Sequence, residues 1–361
     1  MTSMQEFQDH LLPFQIETHA ARGRRVCLNA TVDQILSQHA YPLPVARLLG
    51  ELVTMTALLG GMLKYNGVFT VQIKGNGPIS MMVADMTSTG DLRGFAQFDP
   101  VRLDAKIAQV EQDAGLSATT SADGKRLAHL LDHAIPVLLE GGYLAFTVDQ
   151  GQHTQRYQGI VSLEGESLGA CIGHYFEQSD QLQTAVKIAI GLEEKGQGQK
   201  RWLASGLLLQ RMPQEGGTET DDPSGGQGIF LQNAGAATTG ILTEEDPEEA
   251  WNRAHILMQS CQDRELLDET LTSEDLLFRL FHEEGVRVWD PVLLRHRCRC
   301  SREKLENVLA SLPEQELLAL RNEDGNVTVD CEFCNSQYHF DSASLKALFA
   351  SRTQNGEGSV L

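Results

Sequence analysis

The chain has 361 residues, 41% of them hydrophobic, enough for one sizeable core and one or two smaller units. Its 29 Lys and Arg against 49 Asp and Glu leave a net charge of -20, which repels polyphosphates and anionic membrane surfaces alike. Nucleic acid and membrane are therefore not expected as partners.

Met1 to Phe14 mixes Glu6, Asp9 and His10 with apolar residues, which is neither the basic start nor the apolar run of an export signal, so a cytoplasmic chain is expected. Val45 to Leu63 nearly matches a bilayer span, but Arg47, Glu51, Thr54 and Thr56 interrupt it and Pro44 suits a helix's first turn. It reads as a buried core helix. From Gly67 to Asp85 two β-rich runs flank Gly75-Asn76-Gly77-Pro78, a hairpin signal. The same turn is a poor phosphate cradle, because Pro78 lacks a donor and no helix follows. Leu127 to Leu139 has helical apolar spacing until Pro136, and Tyr143 to Val148 with Arg156 to Leu163 suggests a second hairpin. Leu168, Cys171, Ile172, Tyr175 and Phe176 form one helical stripe, so Cys171 reads as a core residue rather than a nucleophile paired with His174. Further β-like runs cover Thr184 to Ile190 and Trp202 to Leu209. The fold class is α+β, with a first domain over 1–213.

Residues 214–248 hold seven Gly and eight acidic residues and no Lys or Arg, the composition of a flexible insertion. Its less polar middle, Gly228 to Leu242, allows a loose docking contact. An amphipathic helical linker follows over 249–297: Pro247 to Trp251 opens one helix, and Thr272-Ser273-Glu274-Asp275 resembles a capping box ahead of the apolar face Leu276, Leu277, Leu280 and Phe281, with Gly285 as the stop. Short helices of this kind need a surface to cover, and the first domain is the candidate.

The last unit, 298–361, is too short to hold a core without a staple. Its own cysteines offer one: Cys298-x-Cys300, thirty intervening residues, then Cys331-x-x-Cys334. In a reducing compartment clustered thiols point to metal or redox chemistry, and four soft ligands from two loops fit one tetrahedral zinc ion per chain. Removing it should unfold the unit. Adjacent-but-one thiols oxidise readily, because a disulfide across one residue closes a strained, labile ring, and Arg295, Arg297, Arg299 and Arg302 favour thiolate there. An inert structural zinc knob is the alternative at this point. His296 and His339 flank the pairs but are not needed as ligands; His129 and His133, at i and i+4, lack a third ligand; Cys27 and Cys261 carry no specific signal.

The C-x-C, thirty-residue gap and C-x-x-C arrangement resembles the redox switch of the thirty-three-kilodalton heat shock protein family, the redox-regulated holdase chaperones. Phe278 to Pro291 (FRLFHEEGVRVWDP), Tyr157 to Leu168 (YQGIVSLEGESL), His174 to Leu182 (HYFEQSDQL) and Gly75 to Pro78 resemble that family's signatures as well. The resemblance implies a cytoplasmic, ATP-independent, non-enzymatic stress chaperone for unfolding clients, zinc-bound and inactive as a reduced monomer. Oxidation would pair Cys298 with Cys300 and Cys331 with Cys334, release the metal, unfold 298–361 and loosen the linker. It also implies a homodimer when oxidised and transfer of clients to ATP-dependent foldases. The long 214–248 segment and an N-terminal extension depart from the family pattern. A thiol oxidoreductase using Cys331 and Cys334 is the rival reading, disfavoured because turn- and strand-forming residues follow the motif where a helix is required; a passive zinc-stabilised interaction module is the other.

Overall fold

The computed structural model describes residues 8–17, 21–113, 135–151, 157–165, 167–179, 182–196, 198–211, 229–231 and 246–345. The chain divides into two compact units, Met1–His296 and Arg297–Leu361.

The larger unit is organised by one helix, α2 (Leu43–Gly60), which follows the short α1 (Ala30–Leu36). Pro44 sits in the first turn of α2, where a missing N–H costs nothing, and fifteen of the eighteen residues are buried. A helix that is apolar all round needs cover on every side. Its two threonines satisfy themselves, Thr54 donating to the Gly50 carbonyl at 2.8 Å and Thr56 to that of Leu52 at 2.7 Å.

Two sheets supply the cover. The first contains β1 (His10–Ile16), β2 (Ala21–Leu28), β8 (Thr184–Lys195), β9 (Gln199–Arg211), β10 (Ile229–Leu231), β11 (Val286–Val288) and β12 (Val292–Leu293); its order is β10-β11-β1-β2-β9-β8, with β12 also paired to β1. The second contains β3 (Val68–Gly75), β4 (Ile79–Thr87), β5 (Asp91–Phe98), β6 (Gly142–Asp149), β7 (Tyr157–Ser162) and β13 (Arg295–His296), in the order β13-β5-β4-β3-β6-β7. It is antiparallel except where β13 runs parallel to β5. Both sheets approach α2 closely at glycines: a Cβ on Gly94 would lie 2.8 Å from Val53, and one on Gly206 2.9 Å from Leu58. The fold is α+β, as the sequence implies.

The Gly75 to Pro78 turn joins β3 to β4 as a hairpin. Helix α3 (Pro100–Asp113) follows, and α4 (Leu168–Ser179) buries Leu168, Cys171 and Ile172 against the core. Of the helix expected over 127–139, residues 127–134 lie outside the described residues and Ile135–Leu139 form a single π-helical turn. Within 214–248, Ile229–Leu231 pair antiparallel with β11, which is more order than the composition suggests. Most of the rest of that segment lies outside the described residues.

The first sheet has a second apolar face. Leu12, Phe14, Ile16, Ala185, Ala189, Leu207 and Leu209 pack there against α5 (Pro247–Ser260), α6 (Asp263–Leu266) and α7 (Ser273–Phe281). The helices contribute Trp251, Ala254, Met258, Leu266, Leu276, Leu277 and Phe281, with the Phe14 and Phe281 rings stacked at 6.1 Å. Thr272 caps α7 by accepting from Asp275 N–H at 3.0 Å, whereas the full reciprocal capping box belongs to Gln262 and Glu265 at α6. Two cations of the sheet hold helix-end carbonyls: Arg25 donates to Leu266 O at 3.0 Å and Lys187 to Gln259 O at 2.8 Å. Arg25 is only 1% exposed, and its other contacts are the Ser205 hydroxyl and the Val26 carbonyl.

The smaller unit contains α8 (Arg302–Ser311), α9 (Glu314–Ala319) and a hairpin of β14 (Val327–Asp330) and β15 (Gln337–Phe340). Its buried apolar set is Leu309, Leu317, Val327, Phe340 and Leu345.

Asp9 ties the start of the larger unit together. Its buried carboxylate accepts the backbone N–H groups of Asn29 (2.7 Å), Ala30 (3.3 Å) and Thr31 at the N-terminus of α1, while its carbonyl accepts from Leu294 N–H at 2.9 Å. Asp9→Ala leaves these donors without their acceptor and is expected to lower stability by about 1–3 kcal/mol in urea-unfolding measurements.

Candidate metal centre

The cysteine arms come from two local structures. Cys331 and Cys334 occupy the turn of the β14–β15 hairpin, where Cys334 N–H and Asn335 N–H both donate to Cys331 O, at 3.2 and 2.7 Å, and Cys331 N–H donates to Ser336 O at 2.9 Å. Asn335 closes the turn with φ +54, a left-handed conformation that Asn tolerates better than most residues. Cys298 and Cys300 lie just ahead of α8, whose N-cap Ser301 accepts Lys304 N–H at 3.2 Å. Arg302 then fastens this arm to the hairpin. Its guanidinium donates to His339 O at 2.9 Å and lies 4.5 Å from the centre of the Phe340 ring.

These fastenings bring all four Sγ atoms within 4.8 Å of one another, each cysteine half-buried. Cys298 Sγ stands 3.7 Å from Cys331 Sγ, and Cys300 Sγ 3.4 Å from Cys334 Sγ. A zinc–sulfur bond of about 2.3 Å implies a tetrahedron with edges of about 3.8 Å, so the donor set fits such an ion in both chemistry and spacing. Four close cysteines could hold a metal ion here, and among the described residues they form a group without histidine or carboxylate.

Charge on the sulfurs is uneven. Burial pushes the Cys331 thiol up to about 12 and Cys300 upward; at Cys334 burial also opposes ionisation, but hydrogen bonding with the Ser336 hydroxyl and amide and with the Cys300 and Cys298 thiols together outweighs it and brings the thiol down to about 7. Holding all four as thiolates therefore calls for a cation. The arginines expected to do this are at least partly engaged elsewhere, since Arg295 bonds Asp91 at 2.6 Å and Arg302 bonds Glu306 at 3.0 Å. The pull on Cys334 comes instead from Ser336 and the neighbouring thiols. A second hydroxyl, that of Tyr338, donates to Cys300 Sγ at 3.1 Å, and this bond raises the phenol to about 12.

Other candidate residues stand apart from this cluster. Cys171 is in the core with its thiol near Glu164 O at 3.7 Å, and His174 meets Gln178 at 2.8 Å. His339 hydrogen-bonds Thr328 at 3.0 Å, and burial lowers His296. His129 and His133 lie outside the described residues. In α7, Leu276, Leu277 and Phe281 are at most 1% exposed and Leu280 is partly buried, all on the second apolar face of the first sheet. Sequence reasoning missed Arg25, Ser336 and Tyr338. The alternation of Ser336 and Tyr338 past the C-x-x-C turn is the signal that could have found the latter two.

Residues 9–341 match one family model, that of the Hsp33 protein. The chain is similar to the 33 kDa chaperonin of Caulobacter vibrioides, 35% identical over 92% of this chain and 95% of that one. It is likewise similar to the 33 kDa chaperonins of Ectopseudomonas mendocina, 34% identical over 93% and 94% of the two chains, and Cronobacter sakazakii, 33% identical over 94% of each. In fold it resembles the crystal structure of the 33 kDa chaperonin (heat shock protein 33 homolog) from Thermotoga maritima, with a TM-score of 0.66 at 22% identity, covering 96% of this chain and 99% of that one. A family model spanning nearly the whole chain, together with relatives above 30% identity along their length, establishes that the chain belongs to the Hsp33 protein family.

Proposed function

We propose that this Hsp33-type chaperone is a redox-switched, ATP-independent holdase of the bacterial cytoplasm rather than an enzyme. The observation that carries the reading is the group of four mutually close thiols on a unit whose core has so few apolar side chains. Bound there, a zinc ion would keep Cys298, Cys300, Cys331 and Cys334 as thiolates and add metal-binding free energy to the folding of the unit.

Oxidation removes the ligands. The family resemblance implies Cys298–Cys300 and Cys331–Cys334 bridges, and such within-arm bridges leave the two arms unconnected. Once 297–361 unfolds, the chain frays from Arg297 back into β13 and β12, strands of two residues each, and then toward α7. The cover of α5, α6 and α7 loosens, and the apolar face carrying Leu12, Phe14, Ile16, Leu207 and Leu209 becomes the surface for unfolding clients. In this division of labour 1–213 binds clients and forms the oxidised homodimer, 214–248 is an insertion, 249–297 is the cover, and 298–361 is the switch. ATP-dependent foldases would take over the clients once reductant returns. An oxidoreductase is less well supported, since Cys331 and Cys334 sit in a turn between two strands and do not open a helix.

Three measurements test the reading. Peroxide treatment of the zinc-loaded protein should release one equivalent of metal, yield 298–300 and 331–334 disulfides on peptide mapping, and switch on suppression of a model client's thermal aggregation; retained zinc, or equal protection in both states, contradicts it. Replacing both Cys331 and Cys334 by Ser should abolish zinc affinity and raise holdase activity without oxidant. Phe281→Ala removes a ring stacked on Phe14, which typically costs about 3–5 kcal/mol, and should give partial holdase activity in the reduced, zinc-loaded protein.

A further inference from the structure

The four sulfurs are not equally supplied with hydrogen bonds. Cys331 receives backbone N–H groups from Phe333 and Cys334, and Cys334 receives the Ser336 amide and hydroxyl. Cys300 has a different arrangement: apart from its neighbouring thiols, its partner is the Tyr338 hydroxyl at 3.1 Å. The position is built by the hairpin register. Val329 pairs with Tyr338 across the ladder, and the phenol ring packs against the small core formed by Phe340, Val327 and Leu309. From that seat the hydroxyl reaches across to the other cysteine arm.

We propose that Tyr338 is a positioning residue that sets how fast the C-x-C arm oxidises, by holding a proton against the Cys300 sulfur. The inference rests on the reading of the four thiols as a metal-bound redox switch. Oxidation by a hydroperoxide requires a lone pair on Cys300 Sγ to attack one peroxide oxygen. An S–O bond forms, the O–O bond breaks and hydroxide leaves, giving a sulfenic acid. The Cys298 thiolate then attacks that sulfur, forming the S–S bond and displacing a second hydroxide; the two sulfurs lose two electrons and one peroxide gains them. A hydrogen bond donated to a thiolate stabilises the charge that the first step withdraws, so the reactant is lowered more than the transition state. It also occupies one direction of approach to the sulfur. The Tyr338 O–H thus slows attack at Cys300 while leaving it a competent ligand.

Tyr338→Phe removes the hydroxyl and keeps the ring that packs the core. In the zinc-loaded, reduced full-length protein it should speed Cys300 oxidation by hydrogen peroxide about threefold or more, read by timed alkylation and mass spectrometry. Oxidation of Cys331 should not accelerate by a matching factor, and zinc affinity in a chelator competition should fall by no more than about tenfold, the low end of what losing an outer-shell partner costs. With cobalt in place of zinc, the thiolate-to-metal charge-transfer band should move to lower energy, a signature that altered packing alone does not give. Unchanged Cys300 oxidation in a variant whose parent still loses zinc to peroxide overturns the role of Tyr338 and leaves the switch intact. Equal acceleration at all four cysteines with weakened zinc binding also overturns it, as general loosening. A parent protein that keeps its zinc under peroxide overturns the switch and this inference together.

Discussion

The constraint on which the rest depends is the small buried apolar set among the described residues of the unit Arg297–Leu361. Five buried apolar side chains among the described residues, with Leu305, Leu312, Val329 and Tyr338 packed partly against them, are a small set to put against the conformational entropy of ordering that chain. Beside that small core stand four sulfurs gathered to within 4.8 Å, at spacings that suit a tetrahedral thiolate site. A fold held by ligands can be dismantled by chemistry at the ligands. A fold held by packing cannot, and on the proposed reading that is the use of a small core beside four ligands.

The larger unit divides the opposite way. Its core around α2 is extensive, and the two sheets come close enough to the helix that Gly94 and Gly206 have no room for a side chain. The second apolar layer is a different kind of contact. Helices α5, α6 and α7 contribute a limited set of side chains, and part of their hold is polar: Arg25 and Lys187 grip helix-end carbonyls, and Ser273 at the start of α7 meets His10 at 2.8 Å. A buried guanidinium whose partners are neutral oxygens is costly to keep dry, so this layer combines apolar attraction with a standing electrostatic penalty. Such an interface is suited to being a removable cover.

Much of this was legible in the sequence, for identifiable reasons. Residues 43–60 form a long apolar run, interrupted by only Arg47, Glu51, Thr54 and Thr56, with Pro in the first turn, so α2 could be read directly, and Gly75-Asn76-Gly77-Pro78 between β-rich runs gives the β3–β4 hairpin. The thiol cluster was legible because cysteine spacing carries its meaning without knowledge of the fold. Strands β11, β12 and β13 were not, since two or three residues have no periodicity and exist only through pairing with β1 and β5. Strand β2, Ala-Arg-Gly-Arg-Arg-Val-Cys-Leu, has three arginines that argue against burial; the oxygens of Ser205, Val26 and Leu266 that accept Arg25 lie in part far along the chain. Tyr338 likewise meets Cys300 only when the hairpin register and the Arg302 clasp bring the two together.

The central claim is that the state of four thiols governs the cover on the first sheet. Hydrogen exchange read by mass spectrometry, comparing the reduced zinc-loaded protein with the peroxide-oxidised one, tests it most directly. The account predicts that amides of 297–345 and of α5, α6 and α7 lose protection together while α2 and strands β2, β3, β4 and β9 keep theirs. Loss confined to 297–345, with the three helices as protected as before, would contradict it.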